Sequence, residues 1–102
     1  MRIISGSQRG RKLLGPRDAS VRPALDNIRE AVFNILSAGV EGARVLDLFC
    51  GVGAFGLEAL SRGARRTHFV DNSSGSLAIL SRNIELLGFD AFSSVEQGDA
   101  YG

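Results

Sequence analysis

Three glycines and three carboxylates are spaced along this chain in a way that can hold a nucleoside. Gly51, Gly53 and Gly56 form G-x-G-x-x-G directly after the apolar run "VLDLF", Asp71 lies twenty residues beyond Gly51, and Asp99 closes "QGDA". Such glycines permit a tight turn and close backbone approach to a ligand, and an acid at that distance can accept hydrogen bonds from ribose hydroxyls. Asp47 sets the sign of the remaining ligand charge. A dinucleotide would lay its pyrophosphate over this loop and the helix start behind it, where a carboxylate in the preceding strand repels it at low effective dielectric. An ammonium group would be attracted. S-adenosylmethionine carries a ribose at one end and ammonium and sulfonium charges at the other, so Asp47 is expected at its methionine part and Asp71 at its ribose. The alternative for Asp47 is a carboxylate satisfied by neighbouring backbone N–H groups, although an acid inside "VLDLF" is costly to bury without a purpose. Asp99 is expected to accept from the adenine amine, with Ala100 offering backbone to the ring edge; a plain turn is the other reading. Phe49 and Asn72 complete the candidate cofactor-binding set. Cys50 reads as a small packed residue with no base to activate it, His68 as structural, and no metal-ligand cluster is present in the pattern.

Those residues must sit at strand ends, and the patterning supplies the strands. Residues 44–49 predict a buried strand, 55–62 a helix stopped by Gly63, and 67–71 a second strand. A second helix starts at Ser73 or Ser74 and places Leu77, Leu80, Ile84 and Leu87 on one face, with Gly88 as its carboxyl cap. Residues 92–97 predict a third strand. Strand and helix in alternation imply an α/β, Rossmann-like parallel sheet, the first half of a doubly wound fold. In the 3-2-1 strand order the first strand is left as a bare edge, so the chain is expected to stop early, with residues 23–102 a partial cofactor-binding domain of poor solubility. Ahead of it, residues 1–14 predict a two-stranded hairpin with an arginine-rich tip, and residues 15–22 an irregular connection. From Pro23 a helix carries Leu25, Ile28, Val32, Ile35 and Leu36 on one stripe and ends at Gly39. Its other stripe, Asp26, Glu30 and Asn34 beside Arg29 and Phe33, is expected in solvent or against a pocket.

The composition narrows the class of protein. With 102 residues the chain suits one small domain. No apolar run of about 18 residues and no basic-then-apolar leader occur, so a cytoplasmic protein without a membrane partner is expected. The single cysteine, Cys50, fits a reducing compartment. Residues 1–29 carry seven cations against two acids, net +5, and the remainder carries −4. A basic arm on an acidic body suits a polyanionic partner, or simply a solvated tail.

Taken together, "MRIISGSQRGRKL", "VRPALDNIREAVFNIL", "VLDLFCGVGAFGLEALSRGA", "FVDN" and "QGDA" resemble the amino-terminal part of the RsmD family, bacterial methyltransferases that modify N2 of a guanine in small-subunit ribosomal RNA. The resemblance covers essentially the whole chain. It implies a class I S-adenosylmethionine-dependent enzyme with Asp47, Gly51 and Gly53 around the methionine part, Asp71 on the ribose and Asp99 near the adenine. It also implies an arm engaging ribosomal RNA or the small ribosomal subunit through Arg2, Arg9, Arg11, Lys12 and Arg22, with the helix of Arg29, Phe33 and Asn34 on the cofactor side, in a protein that acts as a monomer without a metal. "FVDN" stands where "FVEK" is common, and Cys50 where alanine is frequent. The family's Asn/Asp-Pro-Pro-Tyr/Phe tetrapeptide is absent, since the two prolines are Pro16 and Pro23; no catalytic residue can be assigned, and this stretch alone is expected to be inactive. The rivals are a nicotinamide-dependent oxidoreductase, a small-molecule methyltransferase, and a cofactor- or RNA-binding module without catalysis.

Overall fold

Arg44–Leu48, Arg66–Asp71 and Ser93–Gln97 pair as a parallel sheet, strands β1, β2 and β3 in that order. The computed structural model describes residues 2–15, 22–48 and 50–99. Parallel neighbours need a crossover, and the helices α2 (Ala54–Ser61) and α3 (Ser74–Leu87) provide the two. The sheet and crossovers are those expected from the sequence, with bounds within one residue. The ends of α3 follow from its caps: Ser73 Oγ accepts from Ser76 N–H at 3.2 Å, and Gly88 turns left-handed at φ 72°. Leu57 and Leu80 from the helices and Phe69 from the sheet are fully buried and form the centre of the core.

The third motif glycine is a packing requirement. A Cβ on Gly56 would lie 2.3 Å from Phe69 Cε1 and 2.8 Å from Thr67 Cγ2, so α2 can approach β2 only without a side chain there. Gly56→Ala is therefore expected to lower stability by about 1–3 kcal/mol through overpacking. A urea titration would read this as a lower midpoint, with Phe69→Leu in the same chain restoring part of the loss; an unchanged midpoint in the single variant would refute it.

The arm folds back on itself antiparallel, as the expected hairpin does, but with few bonds between its legs. It makes one antiparallel bridge, Arg2 with Lys12, plus the bonds Ile3 N–H to Arg11 O and Gly10 N–H to Ile3 O, each 2.9 Å. Four of its other backbone donors go to α2: Ile4 and Ser5 to the Glu58 carboxylate, Ser7 to Ser61 O, and Gln8 to Ser61 Oγ. Groups committed to a helix cannot also pair across a hairpin.

Helix α1 (Arg22–Leu36) gives way to a short 3₁₀ turn at Ser37–Val40, and of the two outcomes left open for its polar stripe, solvent or a pocket, Phe33 takes the pocket. Its hydropathy stripe favours an inward-facing row, yet Ile28, Val32, Ile35 and Leu36 are exposed, Ile35 by 83%. Among the described side chains of the helix, Arg29 and Phe33 are the buried ones, Arg29 being 1% exposed. Phe33 stacks on Phe55 of α2 at 6.3 Å between centroids and carries the Arg62 guanidinium 4.8 Å above its ring. Arg29 can be buried because Glu58 lies beside it, with Nε 3.8 Å from Oε1, and because its terminal nitrogens donate to Arg2 O and Ala54 O.

The edge strand is bare, as the strand order implied. Leu46 and Leu48 on β1 are 60% and 44% exposed. Between β1 and α1 runs a groove of about 460 Å³ lined by Val32, Phe33, Val45, Asp47, Leu48 and Phe55. Among the described residues, no helix is long and apolar enough to cross a membrane.

Candidate cofactor site

Helix α2 begins without a capping side chain of its own, because its Ncap is Gly53. The first-turn N–H groups of a helix have no partner within it. Asp47 reaches across from β1 to supply one, its Oδ2 accepting from Gly56 N–H at 3.0 Å. The other end of the loop is held in the same way from β2: Asp71 Oδ2 accepts from Gly51 N–H at 2.8 Å, and its Oδ1 accepts from Ser73 N–H at 2.9 Å. Two carboxylates from neighbouring strands therefore clamp the glycine loop at its first and last glycines. The loop itself is left-handed at Gly51 (φ 54°) and Gly53 (φ 95°). A Cβ on Gly53 would strike Leu80 Cδ1 at 2.3 Å, whereas one on Gly51 would meet nothing within 4 Å. Space above Gly51 is open to a ligand.

The two acids have opposite electrostatic characters. Burial raises Asp47 from 3.8 to about 6, against the bond from Gly56 N–H that favours the anion, and the nearby Asp71 charge adds to the rise. Asp71 is held below the usual carboxylate range, first by Ser73 N–H and then by Gly51 N–H. At neutral pH both are mainly ionised. Their charge exceeds the roughly half positive charge of a helix amino terminus, so the loop favours a cationic group over a diphosphate. Burial and the same two carboxylates push the Cys50 thiol up to about 12, which removes it as a nucleophile.

The remaining sequence-derived residues fall in several places. Asn72 follows Asp71 and is exposed, its carbonyl facing Gln97 Nε2 at 3.5 Å. Asp99 is exposed just after Gly98, whose N–H donates to Asp71 O at 3.0 Å, so the ends of β2 and β3 bring these acids to the same mouth of the sheet. Phe49, Ala100 and the Arg22 side chain lie outside the described residues. In the arm, Arg2, Arg9, Arg11 and Lys12 are all exposed. Arg2 Nη1 donates to Gly10 O at 3.1 Å, and Arg11 is committed twice, to Gln8 Oε1 at 3.1 Å and to Leu86 O at 2.8 Å. His68 bridges Ser94 Oγ at 2.6 Å and Glu96 Oε1 at 3.1 Å across the sheet face.

Two site-shaping residues escaped the sequence reading. Glu58 is fully buried and binds Ile4 N–H, Ser5 N–H and Arg62 Nε at 2.8, 3.0 and 2.8 Å. Asn83, also fully buried, accepts from Leu14 N–H at 2.7 Å and donates to Leu14 O and to Val52 O of the glycine loop. The signal for Glu58 was present: an acid inside "GLEAL" on a short helix with apolar residues on both sides must find partners if it is buried. Asn83 sits beside the stripe of Leu80, Ile84 and Leu87 and gave the same kind of sign.

Comparison with known proteins places this arrangement. A family model described as "Conserved hypothetical protein 95" matches residues 1–101. The chain is 39% identical over 100 residues to "Putative rRNA methyltransferase YlbH" of Bacillus subtilis (strain 168), covering 98% of this chain and 54% of that protein. It is 41% identical over 87 residues to "Ribosomal RNA small subunit methyltransferase D" of Escherichia coli (strain K12), covering 85% and 44%. The solved structure "Putative methyltransferase yhhF from Escherichia coli" superposes with a TM-score of 0.85 at 36% identity over 98% of this chain and 53% of that one. The chain thus spans about half the length of the curated relatives it matches. It belongs to the family described as Conserved hypothetical protein 95, the RsmD family that its motifs resemble.

Proposed function

We propose that this chain forms the cofactor-binding part of an S-adenosylmethionine-dependent methyltransferase acting on the N2 amine of a guanine in small-subunit ribosomal RNA. The observation that carries the reading is the pair of carboxylates, Asp47 and Asp71, holding the two ends of a left-handed glycine loop. The donor set fits the cofactor: an anionic flank for its cationic amino-acid part, an acid at the end of β2 for ribose hydroxyls, and open space above Gly51. Bound there, the cofactor supplies a methyl group on a sulfonium leaving group. The protein's share is orientation and exclusion of water. Asp47 neutralises and orients the ammonium. Asp71 accepts from the ribose through the lone pairs its two backbone donors leave over, and Asp99 accepts from the adenine amine. The basic arm holds RNA through its phosphates, and a paired guanine leaves its stack to reach the methyl group. The names of the E. coli and B. subtilis relatives support RNA as the substrate class.

Calorimetric titration of the chain with S-adenosylmethionine and with NAD tests the cofactor. S-adenosylmethionine is expected to bind more tightly; tighter NAD binding would overturn the reading. Methyl transfer to small-subunit ribosomal RNA by the full-length protein, mapped to a guanine N2, tests the substrate. Transfer to a small molecule with Arg9, Arg11 and Lys12 all neutralised and no loss of rate would favour the small-molecule reading instead.

A further inference from the structure

The second leg of the arm lies along α3 and is fixed to it at two points. Arg11 Nη2 donates to Leu86 O at 2.8 Å, and Leu14 exchanges two hydrogen bonds with the Asn83 side chain. These anchors run in opposite chain directions, so residues 11–14 travel back along the helix from its last turn toward the glycine loop, where Asn83 Nδ2 also holds Val52 O at 3.0 Å. Arg82 neighbours Asn83 in sequence and shares with Leu86, one turn on, the wall of an open groove of about 500 Å³. Among the described residues the side chains of Arg9, Lys12 and Arg82 are exposed and make no hydrogen bond or ion pair, while Arg11 is spent on the fold. Glu85 is the one acid lining that groove among the described residues.

We infer that Arg82 of α3 continues the basic row of the arm, so that Arg9, Lys12 and Arg82 track the sugar–phosphate backbone of the RNA past the glycine loop, with Arg11 acting as a strut. The inference rests on the RNA reading above. Two uncommitted cations of the arm and one of the helix that the arm is bonded to, tied through Asn83 to the cofactor loop, can hold phosphates at a fixed place relative to that loop. Long cationic side chains without internal partners lose no protein contact when a phosphate arrives, whereas Arg11 would have to abandon two. Counterion release makes each such contact measurable as about 0.7–0.9 in the slope of log K against log salt.

The test is binding of a fluorescein-labelled small-subunit ribosomal RNA hairpin to the full chain by anisotropy, across a series of salt concentrations. Arg82→Gln is expected to weaken binding several-fold and to reduce the salt slope by about one contact. Its thermal midpoint and its affinity for S-adenosylmethionine should stay unchanged. Arg44→Gln, at an exposed position on β1, is the control and should match the native chain. An Arg82→Gln slope equal to that of the native chain overturns the inference and leaves the RNA reading standing. A native chain that does not bind this RNA overturns both.

Discussion

Asp47→Asn is expected to make the ligand-free protein more stable at pH 7 while costing it cofactor. The folded protein raises this acid from 3.8 to about 6, chiefly by burial. Between about pH 4 and 6 the unfolded chain therefore releases its proton before the folded one does, and native stability falls as pH rises through that window. Above it the deficit is complete. A rise of that size corresponds to about 3 kcal/mol, and the amide gives back part of it because it accepts from Gly56 N–H less strongly than a carboxylate does. The expected gain is about 1–3 kcal/mol at pH 7, vanishing below about pH 4. Urea titrations of both chains at pH 4 and pH 7 would measure it; a destabilised variant at neutral pH would mean that the helix-capping role outweighs burial. Removing the anion also removes the partner proposed for the ammonium group, so S-adenosylmethionine affinity should fall by about 10- to 100-fold. Stability and binding should move in opposite directions, which is the signature of a charge kept for a ligand.

Glu58→Leu is expected to be among the most damaging single changes outside the cofactor site, at about 3–5 kcal/mol. It strips the acceptors from Ile4 and Ser5 N–H and takes away the carboxylate beside the buried Arg29. For a domain whose total stability is on the order of 5–15 kcal/mol, that is enough to leave a large unfolded fraction. Adding Arg29→Leu should recover part of the loss, because the buried cation that faced the lost carboxylate goes with it, although the two arm donors stay unsatisfied. Denaturation midpoints for the native, single and double variants would show this order. A double variant less stable than Glu58→Leu alone would show that Arg29 is held mainly by partners other than Glu58, Arg2 O and Ala54 O among them.

The acids at the loop also differ in their response to acid. Asp71, held below its ordinary range by Ser73 and Gly51 N–H, supports the fold at neutral pH and loses that support as pH falls. Asp47 does the reverse.

The strands, the crossover helices and their caps were legible because each is written locally: apolar runs, Ser73 before α3, Gly88 after it. The glycine loop was legible for the same reason. What period and hydropathy could not give was the inward face of α1. A hydropathy stripe favours Ile28, Val32 and Ile35 over Arg29, and the groups that reverse the preference, among them the carboxylate of Glu58 29 positions later, lie far away in sequence. The hairpin of the arm was legible, but not how few bonds would join its legs, since several of its donors are claimed by acceptors far along the chain. The candidate site was half legible. The carboxylates and glycines were recognised, and a backbone N–H partner for Asp47 was one of the readings left open, but not that the donor would be Gly56, where a helix lacks a cap.

Arm residues are joined to α2 and α3 across separations of 53 to 75 positions. Closing loops of that length costs entropy before any contact repays it. The strap of residues 2–14 can therefore take its place only once both helices exist, which makes a segment synthesised before them one of the last to settle. In a refolding experiment, hydrogen exchange should protect the amides of Ile4 and Ser5 after those of α3, and a fusion placed at the amino terminus should slow that late step rather than nucleation.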